Sequence, residues 1–205
     1  MAIISNAVTI ADAGAFSVSL GSKVHIKTLT ASASATLSFV DGTADVVLDN
    51  TYPIYQFEFI NIHPAIDEAS FKFNFSIDTG SNYNVTKTTT TFEARHQEDD
   101  SSAALAYDTG ADLAQSTAFH NFYSYLGADA DQSMSGEMYL WNPASTVFVK
   151  HFLIRNSGIQ GNDRMRDNHI AGYANTTSAV DAIRFQMDSG NIDSGKIKLY
   201  GIKDS

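Results

Sequence analysis

Alternation of period two, broken at short intervals by turn-forming clusters, is the feature that most restricts how this sequence folds. Residues 70–78, SFKFNFSID, show it most cleanly. Phe71, Phe73, Phe75 and Ile77 fall on one side of an extended chain, and Lys72, Asn74, Ser76 and Asp78 on the other. The pattern returns in residues 182–202. Ile183, Phe185 and Met187 alternate with Arg184, Gln186 and Asp188; a Ser/Gly/Asn/Asp cluster follows; then Ile197 and Leu199 alternate with Lys196, Lys198 and Tyr200. Two alternating runs around such a cluster predict antiparallel strands with one face on a core, here a closing hairpin.

The other strands follow by the same reasoning. Residues 52–62, YPIYQFEFINI, are apolar on both sides, with Tyr55, Phe57 and Phe59 in one stripe and Ile54, Ile60 and Ile62 in the other. That suits a central strand covered on both faces, by the core or by a partner subunit. Tyr55, Phe57, Phe59, Phe71, Phe73 and Phe75 are therefore the candidates for core or self-association. Residues 136–141 and 146–154 predict a second hairpin, and 23–40 strand, with Ala31, Ala33 and Ala35 where two sheets come close. Residues 46–49 predict a short strand. The Thr-rich run at 85–94 favours an extended, solvated or edge strand, because consecutive β-branched residues disfavour helix. Residues 103–127 carry the only helix-like spacing, read as a short helix or an ordered loop, and 156–168 read as a surface loop. No fixed-period repeat is present, which argues against a propeller or solenoid. The expectation is an all-β chain: an antiparallel β-sandwich of jelly-roll or Greek-key type with an N-terminal arm. Residues 1–22 would be that arm or the first strands, either an attachment segment or an ordinary edge. Residues 23–205 would form a single sandwich domain.

Composition narrows function by exclusion. With hydrophobic residues at 43%, a substantial core is expected. A formal charge of −10 argues against nucleic acid and against anionic membrane as partners. The absence of cysteine rules out disulfides, thiolate metal sites and thiol catalysis. The N-terminal residues have no basic segment followed by an apolar run, so no secretory signal is expected, and no stretch is long enough for a membrane-crossing helix. The six histidines form no HExxH or Cys/His pattern. Glu98, Asp99 and Asp100, and Asp129 with Asp131, read as solvated acidic loops, since the oxygen-rich spacing of a calcium loop is incomplete. No nucleophile elbow or phosphate-binding glycine motif occurs, so no cofactor, no metal and no enzymatic activity are expected. Trp141, in an alternating strand, is read as a core residue or as a contact for a sugar ring.

Three stretches carry a resemblance: FINIHPAIDEASFKFNFSIDTGSNYNVTKTTTTF (59–92), ADQSMSGEMYLWNPASTVFVKHF (130–152) and AGYANTTSAVDAIRFQMDSGNIDSGKIKLYGI (171–202). In wording and order, notably NPASTVFVKHF and the SGNIDSG…KLYGI ending, they resemble a group of small β-rich virion proteins of marine tailed phages, including cyanophages and phages of marine heterotrophs. The resemblance implies a non-enzymatic particle component on the external surface of the virion. It would decorate or attach to capsid or tail proteins through subunit contacts, as a homo-oligomer with a trimer favoured. The alternative is the head of a tail fibre that recognises a host-surface glycan, to which Trp141 would contribute.

Overall fold

A computed structural model describes residues 22–204 in full and, before them, the backbone of three short strands. These are β1 (Ile3–Ser5), β2 (Val8–Asp12) and β3 (Ala15–Phe16), which form a small antiparallel sheet of their own in the order β1-β2-β3. Residues 17–21, part of the segment expected to be an arm or the first strands, lie outside the described residues. The remaining strands are β4 (Lys23–Thr30), β5 (Leu37–Val40), β6 (Ile54–Pro64), β7 (Ala69–Ser76), β8 (Lys87–Gln97) and β9 (Ala103–Tyr107). They continue with β10 (His120–Leu126), β11 (Met134–Trp141), β12 (Lys150–Gln160), β13 (Arg164–Ala174), β14 (Ala182–Met187) and β15 (Ile192–Ile202). The described residues contain no helix.

These twelve strands make one antiparallel sheet. Its main path runs β4-β15-β6-β11-β12-β10-β7-β14-β5, and β13, β8 and β9 extend it from the other edge of β12. The branch has a simple cause. β11 pairs with β12 only as far as Met134 opposite Gly158. Beyond that point β10 takes over the same edge: the Gly127 N–H donates to the Ile159 carbonyl (3.1 Å) and the Gly161 N–H to the Tyr125 carbonyl (3.2 Å). The backbones crowd here. A Cβ on Gly158 would stand 2.7 Å from the Met134 Cβ, and one on Gly136 2.5 Å from the Arg155 carbonyl oxygen, so glycine is required by space.

The sheet curls into a nearly closed, barrel-like form around phenylalanines. Phe185 on β14 has Phe59 and Phe57 of β6 at ring distances of 5.1 and 5.8 Å, although β14 and β6 share no hydrogen bond. Phe71, Phe73 and Phe122 complete the shell. Tyr55, Phe57, Phe59, Phe71, Phe73 and Phe75 are all at most 2% exposed, in the core of the single chain. The β4–β5 connection runs along β15, with the Ala31 N–H donating to the Gly195 carbonyl and the Ala33 N–H to the Asp193 carbonyl (both 2.9 Å).

Several expectations need correcting. Strands β14 and β15 are not a hairpin: β14 pairs with β5 and β7, and β15 with β4 and β6. Each alternating strand faces the core from its own side, and the turn between them crosses the end of the barrel. The helix-like stretch at 103–127 is strands β9 and β10 joined by an irregular segment; β9 pairs with β8 and β10 with β7, and Phe122, Tyr123 and Leu126 are buried. The loop expected at 156–168 is the tightly connected β12–β13 pair, whose polar residues are buried together. Residues 46–49 form no strand, although Val46 and Leu48 are buried. Ile77, Val147 and Phe148 lie beyond their strands and are exposed, as are Ala33 and Ala35. Ile62 joins the core stripe of β6, since Asn61 (φ 49°) and a register shift there reverse the alternation.

The interior has a polar half. The inward row of β8 is Lys87, Thr89, Thr91 and Glu93, all nearly fully buried. Arg166 lies 2.6 Å from both Glu93 and Asp108 and donates to Asn168; Asn168 donates to Asn156 (2.8 Å), which donates to the Phe122 carbonyl (2.8 Å). Charges removed from water require such pairing. His120 is fully buried, with no hydrogen-bond partner at either ring nitrogen; burial, with the nearby Lys87 charge, pushes it down to about 3.

Two outcomes follow. Phe185→Ala should cost about 3–5 kcal/mol in urea unfolding, because it leaves a cavity at the point where the sheet closes on itself. A histidine that stays neutral in the fold until about pH 3 leaves the unfolded chain binding one more proton below pH 6.5. Stability should therefore fall as pH drops through this window. His120→Leu should make the decline shallower by up to ~1.4 kcal/mol per pH unit, read from urea midpoints between pH 4 and 6.

Candidate functional site

The outward face of β11, β12, β13, β8 and β9 is the broadest candidate surface, and its register assembles it. Glu137 stands opposite Arg155, Arg155 opposite His169, His169 opposite Phe92, and Phe92 opposite Tyr107. The next row is Tyr139, Leu153, Ala171 and Thr90. Beyond it lie Trp141, His151 and Tyr173. Small residues in the middle row, between larger ones on either side, leave a shallow trough of about 290 Å³ over Leu153, Ala171 and Thr90.

Aromatic pairs stand in and beside this trough. Tyr139 and Trp141, two residues apart on one strand, are near-coplanar at 6.1 Å and 21°. Phe92 and His169 stack at 4.8 Å and 6°. Trp141 is thus half-buried on the outer face and not a core residue. The polar groups are held in place. Gln56 donates to Glu137 (2.8 Å) and to the Tyr139 hydroxyl (3.0 Å), and Tyr139 donates to Glu137 (3.0 Å). Burial and that acceptor together raise the Tyr139 hydroxyl above its usual range. Arg155 donates to Asp167 (3.2 Å).

Glu58 and Glu137 face each other across β6 and β11, a carboxylate pair that sequence spacing did not reveal. Burial works to raise Glu58, but the hydrogen bond and charge of Lys23, with help from Tyr200, hold it below the usual range. Glu137 is occupied by Gln56 and Tyr139. The two carboxylates are engaged acceptors beside an aromatic platform, an arrangement that suits stacking and hydrogen bonding with a bound ligand.

The face is also apolar at its far side. Phe92, Leu105, Tyr107, Leu153 and Met165 are 43–76% exposed. Among the described residues β9 pairs only with β8, so Leu105 and Tyr107 lie on an edge strand. The Thr-rich run, expected at an edge, is instead flanked by β13 and β9. Lys87, Thr89, Thr91 and Glu93 point inward while Phe92 points out, reversing the usual sense of the alternation. Among the described residues no three His, Asp or Glu side chains converge as a metal site. Asp99 is engaged with the Ser101 N–H, and Asp100 with His96. No protein-family model, curated protein or solved structure matches the chain.

Proposed function

We propose that this chain is a non-enzymatic structural subunit of a tailed-phage virion, on the particle's external surface, and that it works by contact through the outer face of β8, β9, β12 and β13. The observation that carries this reading is the exposed apolar cluster of Phe92, Leu105, Tyr107, Leu153 and Met165, next to an edge strand and over a core that one chain fills by itself. Large contiguous apolar patches on a folded chain mark contact surfaces. An edge strand adds unpaired backbone groups for a neighbour. The partner proposed is a second copy of the chain, in a closed ring with three-fold symmetry favoured, docked on capsid or tail proteins. Nucleic acid and membrane are not proposed as partners, in keeping with the charge of −10. Attachment through residues 1–22 belongs to the same proposal. So does the finer description of the fold as a two-layer β-sandwich of jelly-roll or Greek-key type, for which the β6–β14 aromatic contacts speak.

A second reading is favoured by the Tyr139–Trp141 platform and its ordered acceptors: recognition of a host-surface glycan in the trough.

The first reading predicts a defined oligomer by native mass measurement. Leu105→Glu should shift it to monomer without altering the β-sheet circular dichroism. A wild-type chain that is monomeric and does not bind virions sinks the idea. For the second, Trp141 is the sole tryptophan, and it stacks on Tyr139 at the trough, so its emission reports on that platform. Host envelope polysaccharide should change that emission, and Tyr139→Ala should abolish the response; an unresponsive wild type counts against glycan recognition.

A further inference from the structure

Lys87, at the start of β8, and Asn74, in β7, meet in the barrel interior. Both side chains are fully buried. The Lys87 Nζ donates to the Asn74 Oδ1 (2.5 Å) and to the Val85 carbonyl (2.8 Å). Among the described residues no carboxylate pairs with it. Burial alone pushes the amine down to about 7, so a large share of it is uncharged near neutral pH. The ionisable side chain beside it is His120, itself neutral there.

The carboxamide is held as firmly as the amine. Asn74 Nδ2 donates to the Tyr83 carbonyl (2.7 Å) and the Thr117 carbonyl (2.9 Å), which fixes which end is nitrogen. Its Oδ1 also accepts the Phe75 N–H (2.8 Å). A backbone donor on that oxygen polarises the carbonyl and meets the charge that an attacking nucleophile would place there. Phe73 and Phe75 flank Asn74 in the chain and Phe152 packs on both; Lys87 and Asn74 are themselves closed off from solvent. A nucleophile hydrogen-bonded to the oxygen of the carboxamide it would attack, in a site closed to water, gains the advantage of an intramolecular reaction.

We propose that Lys87 and Asn74 become joined by an intramolecular isopeptide bond after the chain folds. The Nζ lone pair attacks Asn74 Cγ and a C–N bond forms, with the charge passing to Oδ1 opposite the Phe75 N–H. A proton moves from Nζ to Nδ2, the Cγ–Nδ2 bond breaks, and ammonia leaves. One amine and one primary carboxamide give one secondary amide and one ammonia, with no oxidant and no cofactor. Lys150 is the internal comparison. It is equally buried, in the same cross-strand row, yet it donates only to the carbonyls of Phe148 and Thr176 (both 3.1 Å) and has no carboxamide to attack. The bond would tie β7 to β8, which are not neighbours in the sheet and are held together by side chains. This inference stands apart from the proposed virion role.

Mass spectrometry of the purified, denatured full chain decides it. The wild type should be lighter than its sequence by one ammonia, while Lys87→Met and Asn74→Ala should have their sequence masses. Trypsin should cut after Lys72 and Arg95 but not after Lys87, releasing residues 73–95 as one peptide lacking one ammonia. A wild type at its full sequence mass overturns the proposal. So does a loss of ammonia with normal cleavage after Lys87, or one that persists in Lys87→Met, since a cyclic imide at Asn74 would then account for it. The wild-type result is decisive even where a variant fails to fold.

Discussion

Phe185 and Phe59 face each other across 5.1 Å from strands that share no backbone hydrogen bond. Hydrogen bonding alone would permit this long antiparallel sheet to stay open, with one apolar face in water. What curls it is the burial of that face against itself, and each large aromatic side chain removed from water contributes a few kcal/mol. The curl in turn brings β6 and β15 over β7 and β14 and leaves the opposite face of β11, β12 and β13 looking outward. The outer trough is therefore a consequence of the core: the residues of β11 and β12 that alternate with Met138, Leu140, Phe152 and Ile154 are the ones that line it.

The other half of the interior obeys a different constraint. Arg166, Glu93, Asp108, Asn168 and Asn156 form a connected chain from the β8 side of the sheet to the backbone of β10. A buried guanidinium contributes little net stability compared with apolar packing, but it is satisfied in few geometries. Because the network joins β8, β13, β12 and β10 by directional bonds, it fixes their relative register where the phenylalanine cluster does not reach. The two halves differ in what they specify: the aromatic half supplies most of the closure energy, and the polar half restricts the ways in which closure happens.

This division explains what could be read from the sequence. Strands with apolar residues inward, such as residues 70–76, were legible because alternation and burial agree there. β8 inverts the rule, with Lys87, Thr89, Thr91 and Glu93 inside and Phe92 outside, so its buried face reads as solvated. The β12–β13 pair reads as a loop for the same reason: Asn156, Gln160, Arg166 and Asn168 carry the marks of a surface until their partners are known. Pairing was less legible still. Residues 182–202 look like a hairpin locally, and only the positions of β4, β5, β6 and β7 reveal that its two strands belong to different parts of the sheet. The candidate surface was visible at Trp141 alone. Its neighbours come from five strands, and no spacing along one strand records which residues stand opposite one another.

A surface of this kind also bears on how the chain can evolve a contact without disturbing its fold. The outward residues of β8, β9 and β13 alternate with inward ones whose partners are fixed, so Phe92, Leu105 and Met165 can change while Glu93, Asn168 and Arg166 cannot. Exposed apolar residues have no stabilising role to perform in the isolated chain, where they face water. The contact surface proposed above would account for the group of them on one sheet face, next to an edge strand. The core gives no such reason, because Phe59, Phe71 and Phe185 already fill it from within. The closure that makes the single chain self-sufficient thus leaves this face free for the contact proposed above.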